Sequence, residues 1–322
     1  MSNPRYSIIV PVFNRPQEIE ELLESLVHQH YKGFEVLIIE DGSTLRCDDV
    51  VDRYRDRLTI HYFYKPNSGP GPTRNFGFAH AHGEYFVVFD SDCIVPPAYF
   101  NAVEEAISTE RLDAWGGPDR PHENFTVVQR ATGYTMSSFL TTGGIRGGKK
   151  HVGWFQPRSF NMGISRRVFE ETDGFQFSHL AEDIEFSIRM KKAGYKVGLI
   201  PEAFVFHKRR GSLREFYRQV RNFGRGRIMV GRVHPEEVKV AHWFPTFFIA
   251  GIYLTLLVSP FFPSVSLLAA AGYFIYFLVI FFHSMKVNRN LGVAILSIPA
   301  ALLQLWGYGS GFFKEWLKSY TT

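Results

Sequence analysis

Asp90 and Asp92 stand one serine apart, directly after the apolar run Tyr85–Phe89 in the stretch GEYFVVFDSDCIVP. Residues two apart on an extended chain point to the same face, so both carboxylates project together from the carboxyl end of a buried strand. Like charges so close repel one another unless something compensates. One answer is a solvated acidic turn, since Asp is a common turn residue. The other is a divalent cation shared with a phosphate ligand, since Mg²⁺ and Mn²⁺ are often held by one or two carboxylates plus substrate phosphates. A second acid pair, Glu182 and Asp183, opens the helical pattern AEDIEFSIRMKKAGY, whose apolar positions are Ile184, Phe186, Ile188 and Met190. Acids are favoured at a helix N-terminus by the helix dipole alone; a carboxylate there can also act as a general base. His207 closes the strand-like run PEAFVFH. It is either a structural histidine or a further ligand beside carboxylate and phosphate oxygens.

The elements that must position these groups alternate. YSIIVPVF reads as a strand, and RPQEIEELLESLVHQ puts Ile19, Leu22, Leu23, Leu26 and Val27 on one helical face. FEVLIIED, LTIHYFY and EYFVVFD are three more strands, with PTRNFGFAHAH as a helix between the last two. Continuous rather than alternating apolar strands, separated by helices, predict a mainly parallel α/β sheet, whose ligands bind at the strand carboxyl ends. Polar stretches fall at those ends: Pro11 to Arg15, Glu40 to Ser43, KPNSGPGPTRN, and the Asp90–Asp92 pair. GPGPTRN lacks the Lys-Ser/Thr ending of a phosphate loop, and no G-x-G-x-x-G follows the first strand. A nicotinamide dehydrogenase and a phosphate-loop NTPase are therefore disfavoured.

The 322 residues are enough for two domains, and the composition changes sharply near His242. Segments 244–262 and 265–282 hold no charged residue, and each approaches the ~20 apolar residues of a membrane-spanning helix. A third uncharged segment, 291–313, contains Pro299, Gln304 and several glycines, and fits a kinked span, a re-entrant hairpin or an interfacial helix. Lys286 and Arg289 lie between the second and third segments, whereas PFFPS between the first two is uncharged. The positive-inside bias then places the second loop and the N-terminal domain in the cytosol. The opening residues are too short an apolar run for a secretory signal, and the two cysteines, Cys47 and Cys93, define no disulfide framework. These features predict domains at 1–232 and 233–322, with the second in the membrane.

The formal charge of +5 is concentrated: Lys208 to Arg232 holds nine Lys/Arg against Glu215 alone. Arg214, Arg218, Arg221 and Arg225 share one helical face. Ahead of a membrane segment that face suits anionic lipid, at roughly 1 kcal/mol per residue near the surface. The alternative is contact with the phosphates of a substrate. Nucleic-acid binding is disfavoured, because no stacking aromatics are interleaved on a free domain.

In order, SIIVPVFNRPQEIEELLESLVHQHYKGFEVLIIEDGS, NSGPGPTRNFGFAHAHGEYFVVFDSDCIVP, NMGISRRVFEETDGF and AEDIEFSIRMKKAGYKV resemble the signatures of family 2 glycosyltransferases with a GT-A fold, over residues 6–232. The basic segment and apolar tail resemble bacterial members acting in exopolysaccharide or surface-glycan synthesis. The resemblance implies a sugar-nucleotide donor, a UDP-sugar by preference, inversion at the anomeric carbon, and Mg²⁺ or Mn²⁺. It implies that Pro11, Phe13 and Asp41 line the base pocket, although Glu40 stands where the family usually has Asp. Arg74 would meet the diphosphate. Asp92 would be a direct metal ligand, with Asp90 nearer the ribose or a water, and His207 would complete the site. Asn161 and Met162 would line the donor sugar, Asp183 would be the base, and Glu182 would orient the acceptor. The acceptor would be a glycan or polyprenyl-linked glycan at the cytosolic membrane face. Gln219 is followed by VRNFG, so the Q-x-x-R-W motif of processive synthases is absent. Gly143–His151 reads as an acceptor-side loop and Trp154 as a sugar platform or a packed core residue. Rival functions are transfer to polyprenyl phosphate itself and a non-catalytic membrane sensor of nucleotide sugars.

Overall fold

The computed structural model describes residues 4–120, 122–142 and 154–319. The chain forms two compact units, one made of Met1–His122 with Gly153–Lys208, the other of Glu123–Val152 with Arg209–Thr322. The loop expected at Gly143–His151 lies outside the described residues.

The first unit begins β1 (Tyr6–Val12), α1 (Pro16–Val27), β2 (Phe34–Asp41), α2 (Asp48–Asp52), β3 (Ile60–Lys65), α3 (Pro70–His80) and β4 (Tyr85–Phe89). It continues through β5 (Cys93–Ile94), α4 (Tyr99–Glu110), β6 (Ala114–Gly116) and β7 (Asp119–Arg120). After the segment carrying α5 (Val127–Ser137) and α6 (Phe139–Thr142), which belongs to the other unit, come β8 (Asn161–Ser165), α7 (Arg166–Thr172), α8 (Glu182–Lys192), β9 (Val197–Leu199) and β10 (Val205–His207). Seven strands form one sheet in the order β3-β2-β1-β4-β8-β6-β9. β3, β2, β1 and β4 run parallel, β8 is antiparallel to both its neighbours, and β6 is parallel to β9. A second sheet has the order β5-β10-β7.

The continuous apolar strands bury both faces of the large sheet, as a helix-covered parallel sheet requires. Alternation sends Tyr6, Ile8, Val10, Val36, Ile38, Val87 and Phe89 into one core layer, with Leu22, Leu26 and Phe100. Ile9, Leu37, Ile39, Phe86 and Val88 enter the other, with Phe78, Met162 and Phe186. A one-residue slip would exchange these two sets, so the register Ile8↔Val36 and Ile8↔Val87 is pinned by packing.

The second unit contains α5, α6, α9 (Leu213–Val233), two 3₁₀ turns at Pro235–Glu237 and Val240–Trp243, α10 (Phe244–Val258), α11 (Pro263–Asn288) and α12 (Leu291–Lys318). Ser212 caps α9, accepting from the Glu215 amide at 3.2 Å, and Asn290 caps α12, accepting from Val293 at 3.0 Å. The third apolar segment is one continuous helix with Pro299 inside it. Among the described residues, three helices are long and apolar enough to cross a membrane. They differ in what covers them: 11% of the α11 window is buried within the protein, against 44% for α12. Phe247, Leu257, Leu268 and Phe274 leave α10 and α11 with an apolar outer surface. α12 instead lies along α9. Gly311 permits the approach, since a Cβ there would sit 2.1 Å from the Arg221 carbonyl oxygen. Further along, Glu315 is held by Arg225 at 3.4 Å and Arg232 at 2.9 Å. This packing groups α9 with the apolar helices, where the sequence places the domain boundary after residue 232.

Candidate active site

The residues singled out by sequence all lie within the first unit: Pro11, Phe13, Asp41, Asp90 and Asp92 at or just beyond the carboxyl ends of β1, β2 and β4, Arg74 in α3, Asn161 at the start of β8, Glu182 and Asp183 at the start of α8, and His207 at the end of β10. Asp90 and Asp92 follow β4. His207 reaches them because β10 pairs antiparallel with β5, His207 opposite Cys93, and the Lys208 amide donates to the Asp92 carbonyl at 3.0 Å. Its Nε2 lies 3.1 Å from Asp92 Oδ1 and 4.0 Å from Asp90 Oδ2. The Phe160 ring stacks on the imidazole at 4.8 Å. Arg15, just beyond β1, donates to Asp92 Oδ2. Burial alone would raise the Asp92 pKa, but the His207 imidazole and Arg15 guanidinium outweigh it and hold the carboxyl well below the usual range.

Asp92 Oδ1 and His207 Nδ1 are buried and have no hydrogen-bond partner among the described residues. Ligand atoms of Asp92, Cys93 and His207 lie within 4.8 Å of one another. A buried carboxylate oxygen lacking a hydrogen bond, beside an imidazole and a second carboxylate, fits a divalent cation of the Mg²⁺ or Mn²⁺ type. Asp90, Asp92 and His207 are the residues that would hold it.

Arg74, expected at a diphosphate, is instead buried and bridges two acids. Its Nη1 donates to Glu182 Oε1 and its Nη2 to Asp90 Oδ1, both at 2.9 Å, and its guanidinium lies 5.3 Å from the Phe175 ring centre. It thereby links the acid pair after β4 to the pair opening α8. The Glu182 carboxyl is pushed up chiefly by burial, with Asp183 adding to the rise and Arg74 opposing it. Ala181, immediately before α8, has φ 59°, a left-handed conformation uncommon outside glycine. Asp183 Oδ1 accepts from the Ile184 amide at 2.8 Å, and Oδ2 lies 3.8 Å from Arg158 Nη1.

Asp41, the last residue of β2, has both oxygens engaged. Oδ1 accepts from Lys65 and from the Ser68 amide at 2.9 Å, and Oδ2 from the Gly69 amide at 2.9 Å. Gly69, immediately before α3, has φ 92°; a Cβ there would meet the His179 ring at 2.6 Å. Burial would raise the Asp41 carboxyl, but the Lys65 and backbone hydrogen bonds bring it below its ordinary value. Glu40 points to the opposite side of the strand, fully buried, accepting from the Cys47 amide at 2.7 Å. Pro11 is half-buried within β1, and Phe13 beyond it is 52% exposed.

Asn161 departs from its expected place beside a sugar. Its side chain is fully buried, accepting from the Tyr99 hydroxyl at 2.6 Å and donating to the Ala203 carbonyl at 2.8 Å. Its amide is committed to tying β8 to α4 and the residues before β10. Trp154 is half-buried, with Lys191 Nζ 4.7 Å from its ring centre. Sequence reasoning missed Arg15, Lys65, Cys93 and Arg158. Arg15 sits in a polar strand end already noted and Cys93 directly follows Asp92, so proximity to the crevice was a usable signal for both; Arg158 comes close only through tertiary packing.

The chain matches the description "Glycosyl transferase family 2" over residues 7–220, and it belongs to that family. It is 25% identical over 240 residues to the probable glycosyltransferase YdaM of Bacillus subtilis, covering 69% of this chain and 55% of that one. It is 39% identical over 92 residues to an uncharacterized glycosyltransferase of Rickettsia felis, covering 29% of this chain and 15% of that one. The chain thus spans little more than half of the first relative and a small part of the second. In structure it is similar to a mannosyltransferase from Pyrobaculum calidifontis in complex with GDP-Man and Mn²⁺, with a TM-score of 0.63 and 20% identity over 95% of this chain and 88% of that one. It is also similar to residues 1–349 of TarS from S. aureus in complex with UDP, with a TM-score of 0.50 and 19% identity over 98% of this chain and 92% of that one. These likenesses establish the GT-A type of fold.

Proposed function

We propose that this glycosyltransferase moves a sugar from a nucleotide-sugar donor, a UDP-sugar by preference, to a hydroxyl of a glycan or lipid-linked glycan, inverting the anomeric centre. The observation that carries the reading is the convergence of Asp90, Asp92 and His207 at the strand carboxyl ends, joined through Arg74 to Glu182. A divalent ion, when bound there, stabilises the charge that develops on the diphosphate leaving group. Arg15 and His207 keep Asp92 ionised, the form in which a carboxylate can hold that cation. Pro11, Phe13 and Asp41 frame the base pocket, with Asp41 acting through its hold on residues 65–69. Asn161 positions the wall of the crevice from behind.

In the transfer the acceptor oxygen forms a bond to the anomeric carbon as the bond from that carbon to the diphosphate oxygen breaks. The nucleoside diphosphate leaves with the electron pair, and the acceptor proton passes to Asp183. Asp183 suits this role because one oxygen is fixed by the Ile184 amide while the side chain remains partly solvent-accessible, at 18%. Asp183→Asn should abolish transfer to a hydroxyl while leaving donor binding intact. Full activity of that variant would favour transfer to polyprenyl phosphate, whose oxygen is already ionised and needs no base. Absence of turnover with any acceptor, despite donor binding, would favour a sensor.

α10 and α11 form a membrane hairpin and α12 lies at the cytosolic face, on this account. Supporting it is the packing of α12 along α9, a helix whose Arg214, Arg218, Arg221 and Arg225 suit anionic lipid headgroups rather than hydrocarbon. Lys286, Arg289, Lys314 and Lys318 then share the cytosolic side with the catalytic unit, in keeping with the positive-inside bias.

A further inference from the structure

Glu35, His61 and His82 come from three separate segments of the first unit: the start of β2, the start of β3 and the turn between α3 and β4. Their ligand atoms lie within 4.8 Å of one another. Glu35 Oε2 is the common point, 3.1 Å from His61 Nε2 and 3.1 Å from His82 Nδ1. The other carboxylate oxygen is fixed separately, accepting from the Ser7 hydroxyl at 2.6 Å and the His82 amide at 2.7 Å. β2 runs from this cluster to Asp41, so at ~3.3 Å per residue the two ends stand about 20 Å apart. The cluster is therefore remote from the acids after β4.

We propose that Glu35, His61 and His82 form a second metal site, selective for a zinc-like ion. Two imidazoles and one carboxylate are a nitrogen-rich set that suits Zn²⁺ better than Mg²⁺. Tetrahedral zinc with bonds of about 2.0–2.1 Å separates its ligand atoms by about 3.3 Å, close to both distances from Glu35 Oε2. The hydrogen bonds from Ser7 and the His82 amide orient the carboxylate from outside, as ligating carboxylates require. Both imidazoles retain freedom to close on an ion, since their side chains are 40% and 62% exposed. Water would occupy the remaining position. The ion would fasten β2 and β3 to the turn that ends α3, the helix whose first residues carry Arg74.

The test is metal content and thermal unfolding of the detergent-purified full chain, equilibrated with Zn²⁺ in excess Mg²⁺. His61→Ala/His82→Ala is compared with His82→Ala alone, whose imidazole is exposed, and with Asp92→Ala. One zinc per chain in the wild type and in Asp92→Ala is expected, with a zinc-induced rise in Tm. Both histidine variants should bind zinc at least ~10–100-fold more weakly, the range that even outer-shell partners command, and lose that rise. Zinc retained in both histidine variants, zinc lost only in Asp92→Ala, or none in the wild type would each overturn the proposal.

Discussion

Arg74 donates to Glu182 through one guanidinium nitrogen and to Asp90 through the other, both at 2.9 Å. A single buried cation thus fixes the spacing between the acid pair after β4 and the pair opening α8. Lysine cannot reproduce a planar two-pronged contact. Arg74→Lys should lose one charge-assisted hydrogen bond of about 1.5–3 kcal/mol, which corresponds to roughly 10–100-fold in kcat/KM. Arg74→Ala strands both acids and should cost about 3–5 kcal/mol of stability. Steady-state kinetics and denaturant titration check the two variants; wild-type kinetics in Arg74→Lys would show that the bridge does not position the site.

Ala181 holds a left-handed backbone at φ 59° immediately before Glu182 and Asp183. A Cβ in that conformation costs roughly 1–2 kcal/mol. Ala181→Gly should therefore stabilise the chain by about 1 kcal/mol, less whatever glycine adds to the entropy of the unfolded chain. An unchanged or lowered unfolding midpoint would mean that the strain is compensated locally.

Asp41 makes acid stability pH-dependent. Its carboxyl is held below its ordinary value, against the opposing effect of burial, by Lys65 and the amides of the loop after β3. A depressed carboxyl contributes stability that is fully present above its unfolded value and is lost as pH falls through the folded one. Asp41→Asn should be less stable than wild type near neutrality and should lose less stability between about pH 7 and about pH 3. Thermal unfolding across that range reads both effects.

The placement of α12 is open to cysteine labelling, because native Cys47 and Cys93 are both buried. With an impermeant maleimide on intact cells, Ser264→Cys at the start of α11 should react from outside. Lys318→Cys at the end of α12 should react only after permeabilisation. Outside labelling of Lys318→Cys would make α12 a third span.

The parallel half of the sheet was legible because β1, β2 and β4 are buried on both faces and so read as unbroken apolar runs. β6 and β9 are three residues each and carry no such signal. The reversed strand β8 follows from pairing rather than pattern. The apolar runs located α10 to α12 but not their ends: α11 extends from Pro263 to Asn288 and α12 to Lys318, since charged residues end an apolar run without ending a helix. At the site, the acids and His207 were legible as strand and helix termini. The bridge made by Arg74, the contact of Arg15 with Asp92 and the inward commitment of Asn161 depend on residues distant in sequence. No local pattern reports them.

The central claim is that Asp92 belongs to a site where a divalent cation supports departure of the nucleoside diphosphate. The most direct measurement is nucleoside diphosphate release from UDP-, GDP- and dTDP-sugars by the detergent-purified chain with membrane lipids as the acceptor source, with Mn²⁺ or chelator, beside Asp92→Asn. The account predicts release from one donor that requires the metal and falls by about 100-fold or more in the variant, in keeping with the several kcal/mol a Lewis acid supplies. Equal release in chelator, or full activity of Asp92→Asn, would contradict it.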